Sequence, residues 1–97
     1  MTINKIEENE KLTLAIEGRI DTSTAPALEA EIDSISGVTE LLLDFKGVEY
    51  ISSAGLRVVL KAQKLMNNAG EMKVLNVNDD VMDVFDITGF CDILTIE

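Results

Sequence analysis

The chain reads as an α/β domain, a mixed central β-sheet with helices packed against it in the order β-β-α-β-α-β-α-β. Three observations carry this expectation. Short apolar runs of strand length recur along the sequence, and between them lie segments whose apolar residues return at helical spacing. Each helical segment follows Ser, Thr, Asn or Asp, the residues that cap helix N-termini. Strand-helix-strand crossovers of this kind are right-handed and lay the helices against the sheet.

The first two strands are Ile3 to Glu7 and Lys11 to Gly18, joined by the polar Glu8-Asn9-Glu10 turn, with Leu12, Leu14 and Ile16 marking the buried face. Asp21-Thr22-Ser23-Thr24 then supplies cap residues, Pro26 suits a first helical turn, and Ala25, Leu28, Ile32 and Ile35 form a stripe. This predicts a helix from about Thr24 to Ser34, closed off near Gly37. Leu41-Leu42-Leu43-Asp44-Phe45 is continuous enough to predict a central strand covered on both faces. Ser53 falls where an N-cap belongs, ahead of a helix patterned by Leu56, Val59, Leu60, Gln63 and Leu65 and stopped by Asn67-Asn68-Ala69-Gly70, residues that tolerate the left-handed conformation. Met72 to Val77 gives another strand. Asn78 or Asp79 caps a third helix carrying Val81, Met82 and Phe85, with Gly89 at its C′ position. Ile93 to Ile96 is expected as a final edge strand. No repeat, linker or low-complexity stretch divides the chain, so residues 1–97 are expected to form one domain.

Composition excludes several classes of function. The 97 residues include 18 acidic and 8 basic side chains, a formal charge of −10, which disfavours nucleic acid and anionic membranes as partners and fits equally a protein partner with a basic docking surface and a solvated acidic surface that aids solubility. No apolar run approaches the roughly 20 residues that span a bilayer, and the N-terminal residues lack a secretory signal pattern, so a cytoplasmic location is expected. Cys91, the one cysteine, has no intramolecular partner and reads as a small apolar filler. There is no histidine, so zinc sites and Ser-His-Asp catalysis are disfavoured, and neither a phosphate-cradling loop nor a dinucleotide turn can be written. No cofactor or metal is expected. Asp44 at the end of a central strand suggests a phospho-accepting receiver, but Glu17-Gly18-Arg19-Ile20 lacks the acidic cluster such chemistry requires. A Ser-Lys hydrolase pairing Ser53 with Lys61 or Lys64 is poorly placed, because eight residues of helix separate Ser53 from Lys61 by about 12 Å.

Ser52-Ser53 is the informative position. A serine at a strand-to-helix junction caps the helix in the plainest reading, adding about 1 kcal/mol. The same place suits phosphorylation, since a phosphate of about −1.5 to −2 charge there meets free N–H groups and the positive end of the helix dipole. Such a group preserves the fold and changes the surface. Ala54 and Gly55 keep bulk low beside the hydroxyl.

These residues resemble the STAS domain of the anti-sigma factor antagonist type, over essentially the whole chain. The resemblance rests on Leu14-Ala15-Ile16-Glu17-Gly18-Arg19-Ile20-Asp21, Leu41-Leu42-Leu43-Asp44-Phe45, Gly70-Glu71-Met72 and Phe85-Asp86-Ile87-Thr88-Gly89-Phe90. Its most specific stretch is Val48-Glu49-Tyr50-Ile51-Ser52-Ser53-Ala54-Gly55-Leu56-Arg57. The resemblance implies a STAS fold and a non-enzymatic partner switch. In it the unphosphorylated chain binds an anti-sigma factor that is also an ATP-dependent serine kinase, phosphorylation ends the binding, and a PP2C-type phosphatase reverses it. The family's Asp-Ser-[Ser/Thr]-Gly pattern places the acceptor at Ser53, with Ser52 in place of the aspartate and Ala54 in place of the second hydroxyl residue. Ser52 is the lesser acceptor. Asp21 matches a loop aspartate near the docking surface, which is expected to include Thr22, Ser52, Ala54, Gly55 and Arg57. The alternative is a constitutive, non-phosphorylated STAS subunit of a larger assembly. A free monomer is the simplest expectation.

Overall fold

The computed structural model describes residues 1–97. Its sheet has four strands in the order β1-β2-β3-β4: β1 (Thr2–Glu8), β2 (Lys11–Ile20), β3 (Glu40–Ile51) and β4 (Glu71–Leu75). The hairpin strands β1 and β2 are antiparallel, and the β2/β3 and β3/β4 pairs are parallel, as the intervening helices require. Those helices are α1 (Ala25–Asp33), α2 (Ser53–Ala69) and α3 (Asp79–Ile87).

The parallel register builds the core in rows. Leu12, Leu41 and Met72 lie side by side, as do Leu14, Leu43 and Val74. All six are buried, and they join Ala25, Leu28 and Ile32 of α1, Leu56, Val59, Ala62 and Met66 of α2, and Val81 and Phe85 of α3 in one apolar cluster. Phe45 meets Phe85 with ring centroids 6.1 Å apart, and Phe85 stacks on Phe90 at 6.2 Å.

Several expectations are corrected. β3 alternates buried and half-buried residues from Leu41 to Phe45, so helices cover one face of it and not both. The apolar run there combines core residues with Leu42 on the open face. In α2 the buried stripe passes through Leu56, Val59, Ala62, Gln63 and Met66, while Leu65 is 40% exposed. Gly70 ends α2 without a left-handed backbone; a Cβ there would lie 1.9 Å from the Thr39 carbonyl oxygen, so close chain approach selects glycine. The predicted final strand Ile93 to Ile96 shrinks to a single parallel bridge between Val74 and Ile96, because a 3₁₀ turn at Phe90–Asp92 and the buried Leu94 leave only the last residues at the β4 edge. Cys91, in that turn, is exposed and fills no core.

Candidate functional site

Two stretches distant in sequence meet at one end of the sheet. Ile20 and Ile51 are register partners at the ends of β2 and β3, and the Ser52 N–H donates to the Ile20 carbonyl at 2.8 Å. The loop after β2 and the head of α2 therefore leave the sheet side by side. Register shifts after Ala15 and Gly18 bring the longer β3 into this alignment.

At the head of α2 the cap is Ser52 and not Ser53. Ser52 has extended backbone, its hydroxyl oxygen accepts from the Gly55 N–H at 3.3 Å, and its carbonyl accepts from the Leu56 N–H at 2.9 Å. That displaces Ser53 to the first helical position, where it is exposed. Ser53 thus stands in the first turn of α2, at the positive end of the helix dipole.

The Asp21 loop is held by its own side chains. One Asp21 carboxylate oxygen accepts from the Ser23 hydroxyl at 2.7 Å, the Ser23 N–H at 3.0 Å and the Thr24 N–H at 3.2 Å. Thr24 Oγ1 accepts from the Asp21 N–H and donates to the Arg19 carbonyl, both at 2.8 Å. The Ser23 hydroxyl, with the backbone N–H groups of Ser23 and Thr24, holds the Asp21 carboxyl below its ordinary value. Arg19 lies 3.8 Å from Asp21 and stacks its guanidinium 4.3 Å above the Tyr50 ring, tying the loop to the end of β3.

Between this loop with α1 and the first turns of α2 runs an open groove of about 230 Å³, lined by Thr22, Pro26, Glu29, Ala54, Arg57 and Lys61 among others. Thr22, Ala54 and Arg57 of the expected surface thus meet in one place. Gly55 does not join them. It is buried, and a Cβ would come within 2.7 Å of Ile20 Cγ2 and 2.8 Å of Ile51 Cγ1, so this glycine lets α2 close onto the strand ends. Pro26 and Glu29 were not among the sequence-predicted surface residues, although Glu29 and Asp33 at i and i+4 already marked one charged stripe of α1.

Lys61 and Asp44, named for other chemistries above, are each held by neighbouring groups. Lys61 is bound by Asp33 at 2.7 Å and Glu29 at 2.9 Å, and these contacts raise its pKa, which fixes it as a cation and not a base for Ser53. Asp44 accepts from the Lys46 N–H and the Asn76 side chain, each at 3.0 Å. No three His, Cys, Asp or Glu side chains gather around a common metal position. No helix is long and apolar enough to cross a membrane.

A four-stranded mixed sheet with three helices in the order β-β-α-β-α-β-α is the architecture of the STAS class. The STAS domain family model matches residues 2–97, and the chain belongs to that family, among the anti-sigma factor antagonists. It is 35% identical over 99% of its length to BtrV of Bordetella bronchiseptica, which carries a provisional anti-sigma factor antagonist name and is covered over 84%. It is 32% identical over 99% of its length to the anti-sigma-B factor antagonist of Bacillus subtilis, covered over 92%. The structure of the Bacillus cell fate determinant SpoIIAA in the phosphorylated form superposes with a TM-score of 0.78 at 19% identity, over 99% of this chain and 87% of that one. These names describe regulatory proteins and not enzymes.

Proposed function

We propose that the chain is a cytoplasmic partner-switching regulator whose unphosphorylated form binds a serine-kinase anti-sigma factor and is released when that kinase phosphorylates Ser53. The observation that carries this reading is the exposure of Ser53 at the first position of α2, beside the open groove between α1 and α2. The chain supplies only the hydroxyl: Ser53 Oγ takes the γ-phosphoryl group of ATP held by the partner, ADP leaves, and the hydroxyl proton passes to the partner's base. Ser52 is the poorer acceptor because its oxygen already caps the Gly55 N–H. The helix dipole and the free N–H groups stabilise the new dianion, so the fold survives while a neutral contact becomes a charged one. A PP2C-type phosphatase restores the binding form. The names of the relatives, and the existence of a phosphorylated form of SpoIIAA, support this reading.

The test is peptide mass spectrometry of the protein from its native host, paired with incubation of the pure chain with host kinases and ATP. Phosphate on Ser53, with partner binding lost on its addition, is the expected result. An unmodified Ser53 under every condition, with partner binding indifferent to Ser53→Ala, would instead identify a constitutive assembly subunit.

A further inference from the structure

The helix that carries Ser53 is electrically unlike the rest of the molecule. The chain has 18 acidic residues against 8 basic ones, yet α2 contains Arg57, Lys61 and Lys64 and no Asp or Glu. Their spacing places all three on one strip of the helix, and all three are exposed opposite the buried Leu56, Val59 and Met66. The three cations are not equivalent. Lys61 is neutralised by Glu29 and Asp33, whereas Arg57 and Lys64, one turn to either side, take part in none of the molecule's ion pairs. Half-buried Leu60 lies between them, and these four residues line a shallow hollow of about 230 Å³.

We propose that Arg57, Leu60 and Lys64 form a docking face for an acidic segment of a partner protein, and that phosphate on Ser53 closes this face by drawing Arg57 onto itself. Charge complementarity selects the occupant. Two free cations separated by about 10 Å of helix match two carboxylates of similar spacing, with an apolar side chain between them for Leu60. The chain's overall negative charge repels such a segment at long range, so the contact depends on these two cations rather than on general steering. The local sign is the reverse of what the −10 total suggests.

The closing step follows from helix geometry. Ser53 and Arg57 are i and i+4, and an anion N-terminal to a cation at that spacing is the favourable orientation. A phosphoserine–guanidinium pair is charge-assisted and well suited to a planar donor fork. Arg57 then leaves the docking face, and the phosphate also repels the incoming carboxylates. This second half rests on Ser53 being the acceptor; the docking face does not.

The experiment uses the full chain labelled with ¹⁵N and a synthetic helical peptide carrying two Glu residues seven positions apart with Leu midway. Shifts centred on Arg57, Leu60 and Lys64 are expected. Affinity should fall about one-and-a-half- to fivefold with each of Arg57→Gln and Lys64→Gln, in proteins shown by thermal melting to be folded, and the same peptide with Gln for Glu should bind more weakly. Protein bearing phosphoserine at position 53 should bind the acidic peptide more weakly than the Arg57→Gln protein does, because the phosphate both withdraws Arg57 from the face and repels the incoming carboxylates. In that protein the second phosphate pKa, read by ³¹P NMR, should rise on Arg57→Gln. Peptide affinity unchanged by both substitutions, or shifts elsewhere, would overturn the docking face. Concentration-dependent shifts at the same residues without peptide would assign it to a second copy of the chain and overturn the acidic partner. A phosphate pKa indifferent to Arg57 would overturn the closing step. Absence of Ser53 phosphate in the host would count against the partner switch and leave the peptide result on unmodified protein standing.

Discussion

Ser52 and Ser53 are adjacent and carry the same side chain, yet backbone conformation separates them: the extended Ser52 turns its hydroxyl back to the Gly55 N–H, and Ser53, the first helical residue, is exposed and makes no cap. Ser52→Ala should therefore cost about 1 kcal/mol of stability and Ser53→Ala less than about 0.5 kcal/mol, a contrast that urea denaturation will read directly. Equal losses would mean that Ser53 shares the capping. Asp21 acts through its loop. Its folded pKa lies below the ordinary value of 3.8, so its stabilising effect is complete above that value and is lost as pH falls through the lower folded one. Denaturation midpoints of wild type and Asp21→Asn should differ most near neutrality and converge in acid below pH 3.8. A gap independent of pH would remove charge from the explanation.

At the scale of elements, α2 meets the sheet through two special positions. Gly55 lies against Ile20 and Ile51 so closely that a side chain must push the helix outward. Gly55→Val should destabilise the protein by about 1–3 kcal/mol, with a lower melting temperature, so that any loss of partner binding comes from a displaced helix and not from bulk on the surface. Gln63 presents the opposite case, a polar residue in an apolar stripe. It is 8% exposed, and its Nε2 donates to Asn67 at 2.8 Å while Oε1 has no partner. An unpaired buried acceptor costs about 1–3 kcal/mol, so Gln63→Met, close in volume, should raise the melting temperature; a fall would show that the amide makes an interaction worth more than its desolvation.

For the whole molecule, charge and size set the terms. A net charge of −10 is confined within 33 × 26 × 19 Å. At about 0.01 M salt the screening length is about 30 Å, so the charges repel across the entire molecule, and at about 0.15 M it falls to about 8 Å, within which only neighbours interact. Raising salt over this range should raise the melting temperature, as scanning calorimetry can show. An unchanged or lower value would mean that the ion pairs between elements, chiefly Lys61 with Glu29 and Asp33, outweigh the net repulsion.

The strands and helices were legible in the sequence because their apolar spacing and cap residues are local signals, and Leu12, Leu14, Ile16, Leu28, Ile32 and Phe85 lie in the core where periodicity placed them. Ser52-Ser53 stood out for the same local reason. What depends on neighbours was not legible. Leu41 to Phe45 reads alike whether one face or two are covered, Ile93 to Ile96 reads as a strand although the preceding turn leaves room for one bridge, and Gly55 reads as surface until Ile20 and Ile51 arrive against it. The parallel register set the Asp21 loop beside α2 and so assembled the candidate site, and packing of α1 on α2 decided which of three similar cations is neutralised and which two are left free. Sequence determines local conformation through short-range propensity and patterning, whereas partner choice among side chains far apart in the chain exists only once the tertiary fold has brought them together.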